Sequence, residues 1–541
     1  MVTGPIGHHA QSGQFSASSH GDSTRELDAM VLDTDGLRND LETTTPKTVS
    51  LSPPALASFV EAGRLDHHLL GGLAWTAAGK WSSQILYWAS LLAVARLLSP
   101  SDFGLVGMAA IYLGLVQTFS EFGFGLAIIT LQDLTDEQVE QINAMALLFG
   151  VVGFGLSCAV ARPLGTFFHS RQLPAVVVAM GTTFVLSGFR TVPYSLLQKE
   201  MRFKLLSIME TSQAVAQALS TLAFAALGLH YWALVLGNIV NAATATALPF
   251  SWRPRGFARP RLESMRQALR FSRHLMVARL AWYGYSNADF LVAGRTLGEA
   301  PLGAYVLAWN FANVILDQTT ALVGRITPAF FSAVQTEHAA LRRYLRSLTE
   351  GLALVTFPAT IGLGLVAPEF VRITLGPKWE GVVTPLRLLT FYASFRSITT
   401  LLGQVLTVLG ETSFIMWNNI SALVLLPTAF LIGSRWGTAG IAWAWILGYP
   451  FVALPLYWRT FRGINMQVRE YFGAIRAPLN ACAALAAAVV VLRWALNSRG
   501  LPAIRFSLEV LAGATAYVLI MMTFYRNRIA VFWGTIKSLR N

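Results

Sequence analysis

Ionisable side chains well inside apolar stretches long enough to cross a bilayer are few, and seven are candidates: the cations Lys80, Arg190, Arg279 and Arg396, and the acids Glu121, Asp289 and Asp317. A charge in the hydrocarbon region is costly unless it finds a partner or faces a water-filled cavity, so such residues mark transport pathways. The cations are candidates to hold an anionic group in transit, and the acids to exchange a coupling ion. Arg396 and Asp317, each near the middle of its stretch, are expected to form a buried structural pair; the alternative has Arg396 lining a cavity while Asp317 titrates. Glu121, within Ser120-Glu121-Phe122-Gly123-Phe124-Gly125, is either a desolvated proton carrier or a neutral, hydrogen-bonded carboxyl. Asp289 lies closer to one end of its stretch.

The elements that must position these residues are about fourteen apolar stretches, roughly 73–97, 104–131, 140–161, 174–197, 205–227, 230–252, 273–294, 302–328, 351–375, 382–409, 413–434, 437–460, 475–497 and 503–525. Backbone polar groups in lipid must be satisfied within the segment, which makes each stretch a helix. The fold class is therefore an all-α polytopic membrane protein. Composition agrees: 54% of residues are hydrophobic and 13% charged, against roughly 25% charged in a soluble domain.

The net charge of +13 reports topology rather than nucleic acid, because Lys and Arg concentrate in alternate connectors. Lys199 to Lys204, Arg253 to Arg273, Arg342 to Arg346, Arg459 to Arg476 and Arg526 to Arg540 form one set, and the connectors between them are sparse in basic residues. The basic set is expected in the cytoplasm, with both termini inside. Lys80 and Arg279 then lie about 10 Å into the first and seventh spans from the cytoplasmic side. There they either clamp an anionic head group between them or snorkel to the membrane surface.

Residues 1–70, rich in Ser, Thr, Gly and Asp, bury too little apolar surface to order and are expected to be a disordered cytoplasmic tail. The basic connector 253–272 divides a six-helix lobe (71–252) from a second (273–460), followed by a final helix pair and basic tail (461–541). Within it Leu262, Met265, Leu269 and Phe271 alternate with Arg261, Arg266 and Arg270 at helical spacing, as in a surface helix lying on anionic lipids. Cys158 and Cys482 both fall inside spans and give no disulfide framework or metal site. No Gly-rich phosphate loop followed by Lys and Ser/Thr is present, so no cofactor, metal or catalytic residue is expected. Pro193, Pro358 and Pro450 allow kinks within spans. Trp75, Trp81, Trp232, Trp252, Trp436 and Trp458, near span ends, read as interfacial anchors.

Displaced by 199 positions, the first hairpin aligns with the seventh and eighth spans: Arg96, Leu98, Gly104 and Ala109 fall on Arg295, Leu297, Gly303 and Ala308, and Lys80 falls on Arg279. Repeats of this kind build transporters from two related halves with the substrate site between them.

Several segments carry a family resemblance: Lys80-Trp81; Ala95-Arg96-Leu97-Leu98-Ser99-Pro100-Ser101-Asp102-Phe103-Gly104; Leu197-Gln198-Lys199-Glu200-Met201-Arg202-Phe203-Lys204; Asn287-Ala288-Asp289 to Gly303-Ala304-Tyr305; and Leu375-Gly376-Pro377-Lys378-Trp379. In order and spacing, from about residue 70 to 525, the chain resembles the polysaccharide transport branch of the multidrug/oligosaccharidyl-lipid/polysaccharide exporter superfamily, the Wzx-type flippases. The resemblance implies movement of an undecaprenyl-diphosphate-linked sugar repeat unit across a bacterial inner membrane, by alternating access of two six-helix lobes driven by an ion gradient. The product would be exopolysaccharide, capsule or O-antigen. With such a substrate, the intramembrane cations Lys80, Arg190, Arg279 and Arg396 become the candidate diphosphate contacts, and Glu121, Asp289 and Asp317 the candidate ion-coupling groups. The implied partners are the polyprenyl-diphosphate-linked oligosaccharide, anionic lipids, a polymerase and a chain-length regulator, with the protein acting as a monomer. Two other readings compete. A multidrug/cation antiporter of the same superfamily would show paired membrane acids, whereas this intramembrane set leans basic. A membrane polymerase or glycosyltransferase would carry catalytic groups on a sizeable external loop, and the external connectors here are short, so no enzyme is expected.

Overall fold

The computed structural model describes residues 84–120, 125, 128–129, 134–259, 279–335, 337–496 and 502–526. Lys80, Glu121, the tail 1–70 and the amphipathic part of the 253–272 connector lie outside the described residues.

Where the fourteen expected spans are described they are helical along most of their length, with two breaks. The first hairpin pairs α1 (Gln84–Leu97) with α2 (Pro100–Ser120), and Asp102 fixes its turn by accepting from Ser99 N at 2.8 Å and Ser99 Oγ at 2.6 Å. Next come α3 (Asp136–Phe167), α4 (Leu173–Lys199), α5 (Phe203–Ala226) and α6 (Tyr231–Trp252). In α3 the first-turn amides are satisfied by a capping box: Thr135 accepts from Gln138 N and the Gln138 side chain from Thr135 N. A second set begins with α7 (279–286) and α8 (Ala288–Leu297) and continues with α9 (Glu299–Ala333), α10 (His338–Leu365) and the short α11 (Ala367–Thr374). It ends with α12 (Val383–Val408), α13 (Thr412–Gly433) and α14 (Gly437–Gly463). The last hairpin is α15 (Val468–Leu496) with α16 (Pro502–Phe524). Pro193, Pro358 and Pro450 all lie inside continuous helices.

Two expected spans are broken. The seventh bends at Asn287 (φ −120°, ψ 4°), whose backbone N–H and side-chain amide both donate to Tyr283 O, at 3.1 and 2.9 Å. The ninth stops at Leu365, because Pro368 has no N–H to continue the ladder and instead opens the first turn of α11. At 32 and 35 residues, α3 and α9 are roughly 48 and 52 Å long and extend well beyond the ~30 Å hydrocarbon layer.

In the first set α3 packs on α4, α5 on α6, and α4 on α6; in the second α10 packs on α12, α13 on α14, and α12 on α14. The final pair packs on α10 and α11. Ion pairs tie it to α11, Arg493 reaching Glu369 at 3.1 Å and Arg505 reaching it at 3.6 Å, while within the pair Glu509 accepts from Arg493 at 2.6 Å and Arg505 at 3.0 Å.

The two sets meet chiefly where α2 crosses α9, and that contact is reciprocal. A Cβ placed on Gly104 would lie 1.8 Å from Glu299 O, and one on Gly303 would lie 1.8 Å from Pro100 O. Glu299 is Pro100 displaced by the same 199 positions that relate the two glycines. Only glycine lets the backbones approach this closely. The repeat arginines flank the crossing. Arg96 donates to the last carbonyls of α11, to Thr374 O at 2.7 Å and to Ile373 O, where the helix dipole favours a cation. Lys378 Nζ and Trp379 Nε1 return donors to Arg96 O and Ala95 O at 2.7 and 2.8 Å. Arg295 meets His169 Nε2 at 2.7 Å and lies over the Phe167 ring at 5.2 Å, while Ser170 Oγ donates to Glu299 Oε1 at 2.7 Å. Each set's first hairpin thus grips the loop after the third span of the other.

Candidate functional site

Four pairs of residues spaced i, i+4 converge inside the second set: Tyr285 and Asp289 across the α7–α8 break, Trp309 and Asn313 on α9, Tyr392 and Arg396 on α12, and Trp445 and Tyr449 on α14. Residues four apart share a helix face, so each helix presents two members to the common centre. At that centre the half-buried Arg396 donates through Nη1 to Asn313 Oδ1 at 3.0 Å, and its guanidinium lies 5.8 Å from the Trp309 ring centroid. Tyr392 stacks on Trp445 with centroids 4.8 Å apart, Trp309 meets Trp445 at 5.4 Å, and Tyr449 stands edge-on to Tyr392 at 5.2 Å.

Asp289 anchors this aromatic box. It is fully buried; its Oδ2 accepts from Tyr305 Oη and Trp445 Nε1, both at 2.9 Å, and its Oδ1 from Phe290 N at 2.9 Å. The carboxylate fixes Trp445, Trp445 backs Tyr392 and Trp309, and those rings flank Arg396. Asp289 is therefore engaged by protein donors rather than presented to a passage.

The expected Arg396–Asp317 pair is not formed. Arg396 takes the neutral Asn313, one turn earlier on α9, and Asp317 is exposed. The four-residue step from Asn313 to Asp317 is about 6 Å along the helix axis, so Asp317 is rooted one turn away from the residue that meets the guanidinium. Among the described residues Arg396 has no carboxylate at ion-pair distance. Five N–H donors meet one neutral acceptor and aromatic faces, leaving donors free for an anion.

The other candidates stand apart. Arg190 lies 4.6 Å over the Tyr194 ring, and Tyr194 Oη donates to Glu210 Oε1 of α5 at 2.8 Å, which makes a separate α4–α5 group. Arg279 is exposed at the first described residue of α7, a helix pinned to α2 by Tyr283 Oη donating to Ile111 O at 2.7 Å. Trp309, Asn313, Tyr392 and Trp445 were not singled out from the sequence. Their signal was there: an aromatic four residues from a polar or charged group, in mid-span, where an interfacial anchor has no use.

Comparison with known proteins sets this geometry in a family. The family described as "Polysaccharide biosynthesis protein" matches residues 93–384, a stretch that includes the α2–α9 crossing, Asp289 and Asn313 and stops just short of Arg396. The chain is 26% identical over 392 residues to the lipopolysaccharide biosynthesis protein WzxC of Escherichia coli (strain K12), covering 71% of this chain and 79% of that one. It is 23% identical over 469 residues to the teichuronic acid biosynthesis protein TuaB of Bacillus subtilis (strain 168), covering 85% and 96%. Its fold is similar to that of a solved structure titled "Lipid II flippase MurJ, inward closed conformation", with a TM-score of 0.66 at 12% identity over 84% of this chain and 99% of that one. With more than half its length matched, this all-helical, polytopic membrane chain belongs to the polysaccharide biosynthesis protein family.

Proposed function

We propose that this protein carries a polyprenyl-diphosphate-linked oligosaccharide from the inner to the outer leaflet of a bacterial cell membrane for assembly of surface polysaccharide. The observation that carries the reading is Arg396: a mid-span guanidinium with a neutral acceptor, aromatic walls and no carboxylate at ion-pair distance among the described residues. A cation without a contacting counter-charge at this depth is costly, and an arriving diphosphate offsets that cost while supplying the multidentate acceptor that a guanidinium fits. Family membership and relatives named for lipopolysaccharide and teichuronic acid biosynthesis support the substrate class.

In this reading residues 71–252 and 273–460 are two lobes, with 461–541 packed outside. The basic connectors lie in the cytoplasm together with both termini. The α2–α9 crossing then closes the outer face, and substrate loads from inside past Lys80 and Arg279. Arg190 sits nearer the inner face beside Glu210, and Asp317 and Glu121 are left as the coupling acids. A polymerase and a chain-length regulator would act on the delivered unit. Cation antiport fits less well, because the buried Asp289 is already engaged by three donors.

The test is genetic. In a strain lacking the native gene, wild type should restore polymer export, and Arg396→Ala should reach the membrane at equal level yet let the lipid-linked repeat unit accumulate on the inner leaflet. Full export by Arg396→Ala, or accumulation of no lipid-linked unit in the deletion strain, would overturn the reading.

A further inference from the structure

A cavity of about 350 Å³ lies between α1, α2, α5, α6 and α9, and the site described above does not use it. No side chain lining it is charged. Its polar groups are the carboxamides of Gln217, Asn238 and Asn310 and the hydroxyls of Tyr87, Ser90 and Thr221, set against apolar walls that include Phe103. Asn238 Nδ2 donates to Leu234 O at 3.1 Å, which leaves its carbonyl oxygen open. Ser90 Oγ makes one long bond, to Ala218 O at 3.4 Å. The side chains of Gln217 and Asn310 have no hydrogen-bond partner among the described residues.

Resting on the reading just given, we infer that this cavity is the saccharide subsite, which takes a neutral hexose of the lipid-linked unit while Arg396 takes the diphosphate. Three chemistries compete for the space. A prenyl chain offers no hydrogen bonds and would leave the amides unsatisfied inside the membrane, at a cost for each. A diphosphate offers acceptors only, matches half of each carboxamide, and has a cation available elsewhere. A sugar hydroxyl both donates and accepts, as a carboxamide does, and the apolar face of a pyranose suits the aromatic wall. The volume falls at the lower end of the roughly 300–1,000 Å³ of small-molecule sites, and a mostly apolar lining with a few placed polar groups is their usual form. The two subsites are joined through α9. Asn310 lines the cavity and Asn313 holds Arg396, and a three-residue step on one helix face separates them by only about 4.5 Å of rise. A sugar and the diphosphate attached to it span such a distance.

Two probes that differ only in the sugar test this: geranyl diphosphate, and geranyl diphosphate bearing one neutral hexose, glucose and galactose in parallel. Binding to purified full-length protein in lipid nanodiscs should favour a sugar-bearing probe by about tenfold, the worth of one or two neutral hydrogen bonds. The double variant Gln217→Leu, Asn310→Leu should lose that preference, keep its affinity for geranyl diphosphate, and melt no lower than wild type, because these amides hold no hydrogen bond among the described residues for the variant to lose. Ala214→Phe, which fills the cavity while leaving every amide in place, should lose the same preference. Equal binding of all probes by wild type would overturn the subsite and leave the proposed function standing, whereas binding of none would overturn both. Retention of the preference by both variants, or its loss together with geranyl diphosphate binding and a lower melting temperature, would also overturn the subsite.

Discussion

At the scale of the residue, Arg396 is defined by what it lacks. Asn313→Asp would place a carboxylate where the amide oxygen now sits 3.0 Å from the guanidinium, so the cation would be satisfied from within. We expect transport to fall at least about tenfold, the equivalent of one charge-assisted contact, with a melting temperature equal to or above that of wild type. Wild-type transport in Asn313→Asp would show that the cation does not meet substrate. Arg396→Lys should retain part of the activity, as a point charge in place of a fork. Asp289→Ala belongs to another class: it strands the donors of Trp445 and Tyr305 in a dry core. At about 1.5–3 kcal/mol per charged hydrogen bond, it should lower thermal stability clearly, with Asp289→Asn intermediate; unchanged melting would refute the anchoring role. Arg396 itself was legible in the sequence, because a charge in mid-span is conspicuous. Its partner was not. Asn313 and Asp317 lie on the same face of α9 one turn apart, and which of them meets a given residue depends on the axial offset between α9 and α12, which no local pattern encodes.

At the scale of the element, the crossing of α2 and α9 is the contact most sensitive to a single atom. Gly104→Leu would drive a side chain into the Glu299 carbonyl, which lies 1.8 Å from the Cβ position, and backbone on both sides cannot yield. The two hairpins should part. In a background with Cys158→Ser and Cys482→Ser, a cysteine at Val306, on the cavity wall, should become reactive to a membrane-impermeant thiol reagent added outside only when Gly104→Leu is present. Labelling that is unaffected by Gly104→Leu would mean the crossing does not close that face. The repeat behind this contact was legible as a spacing of arginines and glycines. The breaks in the seventh and ninth spans were not, because a hydropathy window averages over the bend in backbone angles at Asn287 and over the missing N–H of Pro368.

At the scale of the molecule, class and span number follow from length and apolarity, since lipid leaves a chain no alternative to helices. The path through the membrane does not follow in the same way, because it depends on faces that only tertiary packing brings together. Such packing separates Arg190 from Arg396 and turns Asp289 into a structural anchor. The charge pattern still orients the whole: a cysteine in the Lys378 turn should label from outside intact cells and one in the 253–259 segment should not, and the reverse result would invert the loading side. The most direct measurement uses the full-length protein in sealed liposomes with a fluorescent prenyl-diphosphate sugar in both leaflets, quenched from outside by a membrane-impermeant reductant. Wild-type liposomes should lose nearly all the signal as inner-leaflet lipid crosses, and Arg396→Ala liposomes should stop near one half, as protein-free liposomes do. Wild-type liposomes that also stop at one half, or Arg396→Ala liposomes that lose signal as fast as wild type, would contradict transport of a lipid diphosphate past Arg396.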